Sequence, residues 1–213
     1  MNLVNYTIND FVAEAASKSP APGGGSVSAL ASSLGVALAQ MVIRLTEGKK
    51  AFLALSSELQ KQVMDSLNFF EKKQVELLKL IDEDTKAFNS FMAALALPRS
   101  SEEEKAKRQE AIHKATILAL NIPLKTAQSS FEVIENLKPL ALYGNKNAVS
   151  DVGVAALMAD AGLKGSVLNV KINLQGLEEG DKKTECLKEC EELVRKSTEL
   201  CKEVLDIVNE KIS

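Results

Sequence analysis

The chain has no tryptophan, only two tyrosines, and a single histidine. His113 sits between Ile112 and Lys114 without a partner motif, and one imidazole cannot anchor a His-based metal site. Its three cysteines, Cys186, Cys190 and Cys201, fall on one predicted helix, the first two a turn apart. That spacing matches no common metal site and fits small core residues in a reducing compartment. No strong charge of either sign is present: 26 Lys and Arg against 29 Asp and Glu leave a net charge of -3, which offers no general attraction to nucleic acid or to an anionic membrane. The first residues, Met1-Asn2-Leu3-Val4, show no basic region ahead of an apolar one, so no signal peptide is expected and the cytoplasm is the expected location. Nucleotide motifs are missing as well. Gly48-Lys49-Lys50 lacks the upstream glycine and the hydroxyl residue of a phosphate loop, and no G-x-G-x-x-G joins a strand to a helix.

What is present is an ordinary helical composition, 46% hydrophobic and 26% charged over 213 residues, enough for a real core. The stretch from Pro20 to Leu45, PAPGGGSVSALASSLGVALAQMVIRL, is the element around which the rest is expected to pack. Two prolines forbid helix upstream, three glycines free the backbone, and Ser26 is placed to cap the helix that follows. A helix start of this kind presents unpaired amides and partial positive charge, suited to a carboxylate, a phosphate or a polar heteroring. The alternative is that PAPGGGS is a flexible connector. The uncharged run from Gly23 to Ile43 is long enough to cross a bilayer, but its Ser, Gly and Gln40 mark it as core.

Along the chain, Thr7 and Asp10 resemble a capping box for a short helix reaching Ser17. Apolar positions from Phe52 to Leu95 recur at three, four and seven residues, predicting one long helix from Lys49 to about Leu97, with room for a kink. Pro98 stops it. Ser100 or Ser101 then caps a helix that begins with Glu102, Glu103 and Glu104 and is expected to end or bend at Pro123. A further apolar pattern leads to a turn at Gly144-Asn145-Lys146-Asn147. The segment from Leu163 to Leu174 is β-branched enough to suggest strand, and is read as helix because no partner strand exists elsewhere. A last amphipathic helix runs from about Asp181 to Ile212. The fold class is therefore all-α: one multi-helical domain over residues 1–213, with long antiparallel helices around a central helix rich in small residues.

Three acids, Asp82, Glu83 and Asp84, interrupt the long apolar helix. Helical geometry puts Asp84 on the side of Leu80, Ile81, Ala87 and Phe88 and turns Asp82 and Glu83 away. A carboxylate desolvated beside Phe88 has a raised pKa, as a general acid or base at neutral pH requires; the alternative is a solvated acidic face. Asn145, Asn147, Ser150 and Asp151 cluster after the turn, and Asn169 and Asn173 sit one turn apart on an apolar segment. Such amides either satisfy neighbouring backbone or read a polar heterocycle.

Together these residues carry a resemblance. Pro20 to Leu30 (P-x-P-G-G-G-S-V-x-A-L), Leu45 to Lys49 (L-T-x-G-K), Asp84 to Phe88 (D-x-x-A-F), Leu97-Pro98, Gly144-Asn145, Ser150-Asp151 and Asn169 to Leu174 (N-V-x-I-N-L) are similar, in order, to the formiminotetrahydrofolate cyclodeaminase family. The resemblance implies an all-helical subunit, self-associated as a dimer or larger, that binds a tetrahydrofolate derivative as substrate and needs no metal or redox cofactor. It implies closure of 5-formiminotetrahydrofolate to 5,10-methenyltetrahydrofolate with loss of ammonia, Asp84 acting as general base and returning the proton to the leaving amine. Gly23, Gly24, Gly25 and Ser26 would contact pterin or glutamate tail, and Lys49 would pair with a folate carboxylate. Asn145, Asp151, Asn169 and Asn173 would touch the pterin or hold the loop. The formiminotransferase domain is not in this stretch, so a separate protein is expected to make the substrate. The rival reaction on the same site is methenyltetrahydrofolate cyclohydrolysis. A rival of another class is a helical scaffold without catalysis, in which the glycines form a hinge and Asp84 is exposed.

Overall fold

Small residues set how closely the two central helices approach, and the rest of the bundle follows from that pair. The computed structural model describes residues 2–177 and 180–213, and helices and turns account for its regular structure, with no strand among the described residues. In chain order come α1 (Ile8–Ala15), α2 (Gly24–Thr46), the single turn α3 (Lys50–Leu53), α4 (Ser57–Leu95), α5 (Glu102–Glu135), the short α6 (Lys138–Tyr143), α7 (Val149–Leu174) and α8 (Asp181–Ile212). Helices α2 and α7 lie antiparallel. A Cβ on Gly162 would meet Ser32 Oγ at 2.0 Å and the Ser28 carbonyl at 2.6 Å, and one on Gly35 would meet the Ala155 carbonyl at 2.7 Å. Backbone therefore touches backbone here, and the β-branched second half of α7 is held in helix by that packing. Helix α4 packs against α2 on another side, and α5 against α4 and α7.

The remaining expectations differ in instructive places. The predicted single helix from Lys49 is two: α3 stops at Leu53, and Ser56 accepts the Leu59 amide to start α4 afresh, while Gly48, with a left-handed φ of 72°, separates α2 from α3. Pro123 does not end α5, which continues to Glu135. A proline leaves the carbonyl four residues earlier without its amide donor; here Asn173 Nδ2 donates to that carbonyl, Ala119 O, at 2.6 Å. Pro139 stands in the first turn of α6, where no amide is missed. Asp82 is not turned out to solvent: it is buried, and its Oδ1 accepts the Leu3 amide at 2.6 Å, because the N-terminal segment covers that side of α4. The three thiols are free and buried, with burial pushing Cys190 up to about 12 and Cys201 to about 11. They are inert core groups at neutral pH.

Candidate active site

The triglycine opens α2 directly. Gly23 is the N-cap and carries no side chain to satisfy the first turn, so the expected capping role of Ser26 does not occur. Ser26 lies inside the first turn instead, and the missing acceptor is supplied by α4. Asp84 Oδ2 accepts the Ser26 amide at 2.8 Å and lies 2.9 Å from its hydroxyl. A carboxylate in this position is favoured by the partial positive charge of the helix start. Ser26 Oγ also lies 2.9 Å from the Ile81 carbonyl, which ties the two helices together.

Gly25 has no alternative at this contact. A Cβ there would fall 2.0 Å from Asp84 Oδ1. Oδ1 itself accepts no hydrogen bond from the described residues, whereas Oδ2 takes both bonds from Ser26. The two oxygens thus differ: one is anchored and the other is free. Burial pushes the Asp84 carboxyl above its ordinary value, and the two Ser26 bonds pull against that shift without cancelling it. The Gly24 and Gly25 amides have no helical acceptor and no other partner among the described residues, so they can hold an oxygen that gains negative charge.

These groups line one cavity of about 420 Å³, the size of a small-molecule site. Its floor is Gly23 to Gly25 and Asp84, and Phe88 and Phe91 of α4 form an apolar wall. Thr116 and Ala119 of α5 and Asn169, Ile172 and Asn173 of α7 close the other side. Asn169 Nδ2 is held by the Gly165 carbonyl and Asn173 Nδ2 by the Ala119 carbonyl, at 2.9 and 2.6 Å. Each amide orientation is thereby fixed, leaving both side-chain oxygens free as acceptors. No group of three or more His, Cys, Asp or Glu suited to a metal occurs among the described residues.

The structure gathers Asp84, Gly23, Gly24, Gly25, Ser26, Asn169 and Asn173 in one place, and it does not bring Lys49, Asn145 or Asp151 to them. Those three stand at the opposite end of α2, which at the usual helical rise lies about 35 Å away. Asn145 donates its amide to Thr46 Oγ1 and its Nδ2 to the Leu45 carbonyl, ending α2. Lys49 precedes α3, and Asp151 lies in the first turn of α7. Within a protomer Asn145 ties the start of the segment before α7 to the end of α2. Sequence reasoning missed Phe91 and Thr116: Phe91 follows Asp84 by seven residues, a legible helical spacing, whereas nothing local marks Thr116.

A half-buried carboxylate with a raised pKa, free amide donors and an apolar wall around one cavity fit a small-molecule enzyme of an all-α class. The chain belongs to the formiminotransferase-cyclodeaminase family, whose model matches residues 7–192. It is 37% identical over 209 residues to a methenyltetrahydrofolate cyclohydrolase of Methylorubrum extorquens, covering 98% of this chain and 99% of that protein. It is 37% identical over 183 residues to the formimidoyltransferase-cyclodeaminase of Gallus gallus, of which it spans 33%. Its fold matches the crystal structure of a formiminotetrahydrofolate cyclodeaminase from Thermotoga maritima with a TM-score of 0.84 and 25% identity, covering 98% of both chains.

Proposed function

We propose that this enzyme hydrolyses the one-carbon bridge of 5,10-methenyltetrahydrofolate, with Asp84 as the general base. The observation that carries the reading is the unanchored Oδ1 of a half-buried, raised carboxyl, close to Gly25 beside two free amides. Water adds to the bridging carbon, forming a C–O bond while an electron pair moves onto a bridge nitrogen, and Asp84 takes the water's proton. The C–N5 bond then breaks, N5 keeps the pair and takes the hydroxyl proton, and a formyl group remains on N10. The Gly24 and Gly25 amides stabilise the oxygen as charge develops on it. Phe88 and Phe91 provide a face for the pteridine, and the Asn169 and Asn173 oxygens accept from its amino-pyrimidine edge. No group is oxidised or reduced, so the proposal requires no redox cofactor, and it assigns the proton transfer to Asp84 without a metal.

Ring closure with ammonia release is the first reaction that the sequence resemblance implies. Hydrolysis moves ahead because the end-to-end relative at 37% identity bears that name. Closure stays as the second reading because the solved structure matched over 98% of both chains is named for it. In closure, N10 attacks the formimino carbon, and Asp84 moves the N10 proton to the nitrogen that departs as ammonia. Parallel assays decide: hydrolysis predicts loss of methenyl absorbance without ammonia, and closure predicts ammonia and methenyl formation from the formimino compound.

The proposal includes self-association and a soluble cytoplasmic setting. Helices α2 and α7 leave apolar side chains open to solvent, with Leu34 48%, Leu157 50% and Leu168 68% exposed. Single exposed apolar residues are common, but several on two adjacent helices fit a second copy of the chain.

A further inference from the structure

Behind Asp84 lies a second, smaller cavity of about 200 Å³, separate from the one already described except for the shared wall at Ala21. Thr85 lines it, together with Asp82, Glu14 and Lys86. Thr85 Oγ1 is 3.3 Å from Ser26 Oγ, which is 2.9 Å from Asp84 Oδ2. The first of these is long for two hydroxyls, as proton-transfer contacts often are before substrate binds. The three side chains form an unbroken line from the reacting carboxylate to the rear cavity.

We propose that Thr85 is the exit for the proton that Asp84 collects, passing it through the Ser26 hydroxyl to the rear cavity while the folate fills the front one. The inference rests on Asp84 as base. Hydrolysis converts a cation and a water into a neutral formyl compound and one proton, and that proton is left on Asp84. It must leave before the next turnover, and the front cavity is then occupied by product. A half-turn of the carboxyl about its two-fold side-chain torsion carries the protonated oxygen from the Gly25 side to Ser26.

Ser26 is suited to the relay because one hydroxyl donates once and accepts twice. With Asp84 ionised, Ser26 donates to it. With Asp84 protonated, Ser26 accepts from it and turns its own hydrogen to Thr85, the Ile81 carbonyl at 2.9 Å serving as the resting acceptor between transfers. Thr85 hands its hydrogen to water in the rear cavity, where Asp82 and Glu14 are the nearby carboxylates.

The test compares Thr85→Val, Thr85→Ser and Asp84→Asn in the methenyl hydrolysis assay, run in light and heavy water. Thr85→Val is expected to lower turnover about tenfold with KM unchanged and to enlarge the solvent isotope effect, well short of the loss of about a hundredfold or more from removing the base. Thr85→Ser is expected to restore both values. Wild-type turnover and isotope effect in Thr85→Val would overturn the route, as would a slowed Thr85→Val whose isotope effect is unchanged and which serine does not rescue. Full turnover in Asp84→Asn would overturn the base itself, and the two failures are told apart by which variant shows them.

Discussion

At the scale of single residues, Asp84 and the glycines facing it make opposed claims on activity and stability. An acid whose pKa is raised by folding favours the native state at low pH. That contribution is present in full below the unfolded value and is lost as pH rises through the folded one, so ionisation of Asp84 costs stability. Asp84→Asn should therefore melt no lower than wild type at pH 7 while losing at least about a hundredfold in turnover. Thermal unfolding alongside initial rates checks both. The acid limb of the wild-type rate profile should lie above the ordinary aspartate value of 3.8. Ser26→Ala removes a bond that favours the charged form, so this limb should move to higher pH still. Adding a methyl along the triglycine should be graded. At Gly23 the nearest atom to a Cβ is 3.5 Å away and alanine is tolerated; at Gly24 a Cβ meets the Asn169 amide at 3.1 Å; at Gly25 it overlaps Asp84 at 2.0 Å and turnover collapses. Alanine is the better helix former by about 1 kcal/mol, so lost activity in Gly25→Ala without lost stability would mark the carboxylate's placement as the cause.

At the scale of elements, Pro123 and Asn173 act as a pair across α5 and α7. Asn173→Ala should cost about 1–3 kcal/mol by leaving the Ala119 carbonyl unpaired. In a Pro123→Ala background the restored backbone amide takes that carbonyl, so the same change should cost much less. A double-mutant cycle in urea measures the coupling. This pairing explains what could be read from the sequence. Pro123 carries a strong local signal, and the signal is correct as far as the lost amide goes. Its rescue comes from a residue fifty positions later and has no local trace. The same limit hid Asp82, whose partner is the amide of Leu3. By contrast Ser101, followed by three glutamates, announced the start of α5, and the capping box is there. Asp84 was legible for a similar reason: its place on an apolar face follows from spacing within one helix. That its counterpart is the start of α2 does not.

At the scale of the whole molecule, the chain should sediment as a dimer or larger, and Leu168→Glu on the open α7 face should release folded monomers. Equilibrium sedimentation with circular dichroism separates dissociation from unfolding. Lys49, Asn145 and Asp151, distant from the cavity in one protomer, then become the sharper question: if their substitution lowers activity in the assembled enzyme and leaves assembly intact, a neighbouring copy carries them to the substrate.

The brace between Asp84 and the first turn of α2 also sets how this enzyme fails. A group that keeps a helix end wound cannot let that end fray and still be aimed at its substrate. Mild heat or denaturant should then silence turnover while ellipticity is still intact, and a bound folate, by pressing on the same turn, should delay the silence before it delays the melt.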